Sequence, residues 1–193
     1  MGAVMGIPSQ FLAPKDEFRH PIPYCKMCPI VYLRIVDDGG VELGEMHIKL
    51  SRRTHPLLTD NFIRLCTGAV SERVTGKPLT LAGSSLWSDG MIVGGGEVGD
   101  SFGRAANQSG ILAQTSQTLP QSSTRFTLAM MPLSVDRKLF TSLFYFVRPA
   151  KSFELIPDGV IFGDVIYGEE VLDAVHCAVE SHKKVSIESC GLL

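Results

Sequence analysis

From Ile30 onward the apolar residues fall into short runs of period two or period 3.6, and these periods predict the elements. Ile30 to Val36 is β-branched and aromatic, Asp37-Asp38-Gly39-Gly40 is a hairpin turn, and Val41 to Leu50 returns as a second strand. In that strand Val41 and Leu43 hold one phase, then Met46, Ile48 and Leu50 alternate against Glu45, His47 and Lys49. The change of phase at Gly44 predicts a bulge. A helix starts at Thr54-His55-Pro56, carries Leu58, Phe62, Leu65 and Cys66 on one face, and ends at Gly68. His47, on a polar strand face, and His55, at the helix start, read as solvated or capping residues.

Val70 to Leu81 reads as a loop. A Ser-Asp-Gly turn then precedes the apolar run Met91-Ile92-Val93, which feeds into Gly94, Gly95 and Gly96. Three glycines after a strand predict a bend where another backbone comes close, a surface against which a second chain could lie. No Lys-Ser/Thr and no amphipathic helix follows them, so a phosphate cradle is a poor reading. Residues 99–123, rich in Ser, Gln, Gly and Asn, form a long irregular segment. Strands resume at Arg125 to Met131, Ser142 to Val147 and Val160 to Ile166. A helix from Glu169 to Val179 places Val171, Leu172 and Val175 on one face, and a last strand runs from Val185 to Cys190. About eight strands and two helices predict a mainly β fold, a closed antiparallel eight-stranded barrel with a helix over each open end.

Residues 1–29 have no such period. Proline recurs at 8, 14, 21, 23 and 29 among Phe11, Leu12, Phe18 and Tyr24, a composition that favours extended backbone. The domain organisation expected is a Pro-rich arm, 1–29, and one domain, 30–193, with Phe11, Leu12, Phe18 and Tyr24 as the arm's partner-binding residues.

Composition removes several functions. A net charge of −2 over 193 residues gives no basic face for nucleic acid. No apolar run reaches the length of a membrane span, and the N-terminus lacks the basic-then-apolar order of a signal peptide. Five cysteines, an odd number, argue against a disulfide framework and for an intracellular, reducing compartment. Cys25 and Cys28 with His20 make half a zinc site, but no second pair of ligands follows. Neither a metal nor another cofactor is expected. Cys66, Cys177 and Cys190 each read as single small apolar residues.

The order of motifs is similar to that of the cyclophilins, the cyclosporin-binding peptidyl-prolyl cis-trans isomerases. His55-Pro56 through Asn61-Phe62-Ile63-Arg64-Leu65-Cys66-Thr67-Gly68 resembles the family's first helix, and Gly83-Ser84-Ser85 the turn before its active-site strand. Gly95-Gly96-Glu97, Leu128-Ala129-Met130, Ser142-Leu143-Phe144-Tyr145-Phe146, Val160-Ile161-Phe162-Gly163-Asp164-Val165 and Ser189-Cys190-Gly191-Leu192 resemble later family motifs in unbroken order. The resemblance implies a cyclophilin-like barrel over residues 30–193.

It also implies a groove with a defined set of residues. Rotation about an X–Pro bond faces a barrier of about 20 kcal/mol because the nitrogen lone pair is shared with the carbonyl. In the family an arginine is understood to donate toward the prolyl nitrogen while apolar residues hold the ring. The corresponding span, Leu86 to Glu97, is shorter and contains no arginine, and Gly94 stands where the family has glutamine. By the same resemblance Met91 and Ile92 keep apolar character, Met131-Pro132 replaces a small pair, Tyr145 replaces the pocket Phe and Leu155 matches the pocket Leu. Glu154 or Phe153 falls at the tryptophan that meets cyclosporin, and Gly159 replaces the pocket His. Arg104, Arg125 and Arg148 are weak substitutes, since Arg125 and Arg148 sit at strand ends. The expectation is a catalytically inactive cyclophilin-like domain with no catalytic residues, a protein-interaction subunit of a larger assembly, without nucleic-acid or membrane partners. The cytoplasm is the first expectation for its location, with ciliary or nuclear assemblies as alternatives. An active isomerase and a module that binds proline segments without turnover are the alternatives in function.

Overall fold

The computed structural model describes residues 27–71, 76–98, 125–132, 140–148 and 160–193, without the side chains of 131, 132, 140 and 141. The predicted hairpin is β1 (Ile30–Asp37) and β2 (Glu42–Leu50). Its turn is locked by Asp37, whose buried carboxylate accepts from the backbone N–H of Gly39 at 3.0 Å and of Val41 at 2.9 Å, and from Lys183 Nζ at 2.7 Å. The hydrogen bond from Lys183, with those from the turn, holds that carboxyl below its ordinary value. The bulge falls where the phase changes. Ile35 faces Gly44 while Val36 faces Glu42, leaving Leu43 as the extra residue.

Helix α1 (Pro56–Cys66) starts with Pro56 in its first turn and buries Leu58, Phe62 and Leu65. His55 precedes it but makes no side-chain capping hydrogen bond, so its expected capping role is not filled. Burial instead lowers its pKa. Nor is His47 simply solvated: Nε2 lies 2.9 Å from Glu45 Oε1, and its ring stacks at 4.9 Å on Tyr167.

The stretch expected to be a loop from Val70 to Leu81 contains two short strands, β3 (Val70–Ser71) and β4 (Pro78–Leu79), paired in a small sheet outside the barrel. Two residues per strand is too short for a period to show. The remaining elements are β5 (Ser85–Ser88), β6 (Ile92–Gly95), β7 (Thr127–Pro132), β8 (Phe140–Val147), β9 (Val160–Tyr167), α2 (Glu170–Glu180) and β10 (Val185–Leu192).

Eight strands close in the order β1-β10-β5-β6-β8-β7-β9-β2, all paired antiparallel. Helix α1 follows the Leu50 end of β2, and α2 follows the Tyr167 end of β9. Tyr167 pairs with His47 and Gly163 with Leu50, so the two helices leave from opposite mouths. Inside, Phe62 of α1 meets Phe144 and Phe162 edge-on, each at 5.5 Å. At the other mouth a Cβ on Gly44, whose φ is +137°, would stand 2.7 Å from Val171 Cγ2, so the bulge glycine admits α2. Full burial of each such Phe or Val contributes about 1.5–3 kcal/mol.

Candidate functional site

Pairing across the sheet places five residues in one row on the outside of the barrel. Trp87 faces Gly94, Gly94 faces Tyr145, Tyr145 faces Ala129, and Ala129 faces Ile161. Residues directly opposite share a face, and their neighbours Leu86, Phe144, Leu128 and Phe162 are buried in the interior. The row therefore runs across β5, β6, β8, β7 and β9, through the region where the sequence expected a groove.

Trp87 dominates it. Its indole lies flat enough on Gly94 that a Cβ added there would be 2.2 Å from Cζ2 and 2.4 Å from Cε2, so a side chain at 94 and the indole exclude one another. The ring meets Tyr145 edge-on at 6.0 Å and 76° while remaining 43% exposed. Tyr145 is half-buried, and that desolvation raises its phenol pKa, so it is a neutral hydroxyl at physiological pH. The row's side-chain donors are the Trp87 N–H and the Tyr145 hydroxyl, both neutral.

The glycine run is filled by this chain itself. Gly95 packs on Leu86 and Phe144, and Gly96, at φ +92°, would set a Cβ 2.3 Å from the Ser142 carbonyl oxygen. Ser142 Oγ also donates to the Gly96 carbonyl at 2.6 Å. The expected berth for a second chain is occupied by Trp87, Leu86 and β8. The chain's single tryptophan sits opposite Gly94 across a short hairpin, and counting that hairpin's residues was the signal that would have found it.

The β5–β6 turn is rigid. Asp89 Oδ1 accepts from the N–H groups of Met91 at 3.0 Å and Ile92 at 2.8 Å, and Ser88 Oγ accepts from Gly90 N–H at 3.2 Å. Ser88 Oγ also lies 3.2 Å from His176 Nδ1 on α2, whose Nε2 is 3.4 Å from Glu180. Sequence reading missed this latch because 88 residues separate its two ends.

Of the groove residues expected from sequence, the structure brings Gly94 and Tyr145 together. Met91 is half-buried at the turn into β6, and Ile92 is buried opposite Val147. Met131 lies in β7 with its side chain outside the described residues. Leu155, Gly159, Phe153, Glu154, Arg104, segment 99–123 and the arm residues Phe11, Leu12, Phe18 and Tyr24 also lie outside them, as do His20 and Cys25. Arg148 is committed to Asp173 on α2 and lies 5.1 Å over the Phe126 ring. Arg125 is exposed and bears electrostatically on Asp164, whose carboxyl burial pushes up. None of the five strands carries a Lys, Arg, His, Asn or Gln. Among the described residues no group of three His, Cys, Asp or Glu is placed to hold a metal ion.

The family model for cyclophilin-type peptidyl-prolyl cis-trans isomerases matches residues 33–192, nearly the whole described barrel. The chain belongs to the cyclophilin family. It is similar in structure to the Mimivirus cyclophilin, known from a crystal structure, with a TM-score of 0.69 and 23% identity over 89% of this chain and 92% of that one. At that identity the likeness speaks to the fold. No curated protein matches the sequence.

The cysteines depart from the sequence reading. Cys66 is buried as expected, but Cys177 is exposed on α2 and Cys190 is half-exposed. Cys66 and Cys190 are not single residues either, since the Cys190 thiol donates to the Cys66 carbonyl oxygen at 3.3 Å. A separation of 124 positions hid that contact.

Proposed function

We propose that this cyclophilin-family domain does not turn over X–Pro bonds and works by binding protein, as a subunit of an intracellular assembly. The observation that carries the reading is the Trp87 indole lying over Gly94 beside Tyr145, on a face whose five strands bring no cation and no side-chain amide. Catalysis of prolyl rotation rests on a donor aimed where charge localises in the twisted state, and loss of one such donor costs about 10²–10³ in rate. A half-exposed Trp beside a Tyr is instead the kind of surface enriched in protein interfaces, since each offers large apolar area with a polar edge. The Pro-rich composition of residues 1–29, which favours extended backbone that costs little to order, supports reading that segment as a second contact element.

Co-purification tests the interaction directly. Tagged full-length chain is expected to bring down stoichiometric protein partners, with the complex weakened at least tenfold by Trp87→Ala or by removal of residues 1–29. Recovery of the full-length chain alone would sink the subunit reading. A second reading, slow isomerisation with Trp87 N–H as the donor, is favoured by the presence of that one N–H in the row. Trp87→Phe, which keeps the ring and removes the donor, separates the two.

A further inference from the structure

The described chain begins at Met27, and its entry into the barrel is fixed. Leu50 N–H donates to the Pro29 carbonyl at 2.8 Å and Leu193 N–H to the Ile30 carbonyl at 2.9 Å, so Met27 leads in at the mouth that α1 covers. His55 N–H returns to the Ser51 carbonyl at 3.0 Å, which folds the start of α1 back toward that entry. Among the described residues seven large apolar side chains are exposed, and four of them, Met27, Leu57, Leu192 and Leu193, come from the segments that meet at this mouth. The Trp87 row lies on the outer wall of the barrel and uses none of the four.

Helix α1 turns a second face outward there. Leu57, Asp60, Ile63 and Arg64 stand at helical spacing on the side opposite the buried Leu58, Phe62 and Leu65. Leu57 is exposed and Ile63 half-buried. Between them Asp60 is paired with Arg52 at 2.8 Å, and the last turn carries the exposed Arg64. The outer face is therefore apolar at its start, neutralised in its middle and basic at its end.

We propose that residues 16–26 of this chain lie back along that face as an extended strap, with Phe18, Ile22 and Tyr24 covering Leu57, Ile63 and the Leu192-Leu193 end. The tether favours this occupant, because a segment joined to the barrel at Met27 meets α1 at an effective concentration of about millimolar. Its length fits. Eleven residues of polyproline-like backbone span about 34 Å, whereas α1, of 11 residues, is about 16 Å long. Its sequence fits as well. Pro21 and Pro23 preset the backbone between the apolar side chains, which lowers the entropy lost on docking, and Asp16-Glu17 at the far end oppose Arg64. Phe11 and Leu12 lie further out and stay available to a partner, so the strap does not rest on the partner-binding reading of the arm.

Limited trypsin digestion of the full chain tests this at the Arg19–His20 bond, which lies inside the strap. Cleavage there tracks the undocked fraction, so it should run about tenfold or more slower than in a free peptide of residues 10–28. Leu57→Glu places a charge under the strap and should restore the peptide's rate. It is expected to leave the barrel folded, since position 57 is exposed and an acidic side chain suits the first turn of a helix. Phe18→Ser, outside the barrel, should restore the rate as well and keeps the test open if Leu57→Glu does not fold. The wild-type rate should be the same at micromolar and at hundredfold higher concentration. Cleavage as fast as in the peptide, protection that survives both substitutions, or protection that grows with concentration and so comes from a second copy would each overturn the proposal.

Discussion

Gly94→Ala is the smallest change that reads the groove floor. The new methyl would sit 2.2 Å from Trp87 Cζ2, well inside contact distance, and the indole has to leave. With Trp87 43% exposed, roughly 100 Å² of its ring surface is covered, about half of what an aromatic side chain buries in full. Losing about half of that cover costs roughly 1–1.5 kcal/mol at ~25 cal/mol per Å². Losing the edge-on contact with Tyr145 costs about 1 kcal/mol more. Replacing a strand glycine by alanine returns about 0.5–1 kcal/mol of chain entropy. The net expectation is destabilisation of about 1.5 kcal/mol. In a Trp87→Ala background the indole is absent, so the same Gly94→Ala change should stabilise by about 0.5–1 kcal/mol. The sign therefore reverses, a coupling of about 2 kcal/mol in a double-mutant cycle of urea unfolding. The single tryptophan supplies a second readout, since its emission should shift to the red when it is expelled. Equal effects of Gly94→Ala in both backgrounds, or unchanged emission, would refute the packing of Trp87 on Gly94.

Three further outcomes follow from the fold. Phe62→Ala, which empties the space between Phe144 and Phe162, should cost about 3–5 kcal/mol in urea unfolding with an unchanged m-value. Gly44→Ala should destabilise by about 1–3 kcal/mol, through overpacking on Val171 Cγ2 at 2.7 Å and a backbone φ of +137°, and Val171→Ala should relieve part of this. Asp37, held below its ordinary value of 3.8, contributes stability that is fully present above that value and is lost as pH falls through its lower folded value. The stability difference between wild type and Asp37→Asn should therefore shrink in acid unfolding curves below about pH 4 and stay flat above pH 5.

The barrel was legible because its strands alternate cleanly and its helices carry 3.6-residue faces. Ile30 to Leu50 showed hairpin, turn and bulge, since Asp37-Asp38-Gly39-Gly40 and the phase slip at Gly44 are local signals. What escaped was non-local or too short. The β3–β4 pair spans two residues on each side, and the Cys66–Cys190 and Ser88–His176 contacts join positions far apart in sequence. The glycine run shows the limit from another side. Its missing side chains were visible in the sequence, but whether a partner or the chain's own Trp87 fills the space depends on strand register, which only the closed barrel fixes.

The most direct test of the central claim is the cis-to-trans rate of a short X–Pro peptide, followed with and without the full-length chain at micromolar concentration. The account predicts the uncatalysed rate, unchanged by Trp87→Phe and by Tyr145→Ala. Acceleration of tenfold or more that either substitution abolishes would contradict it and make this face a working isomerase site.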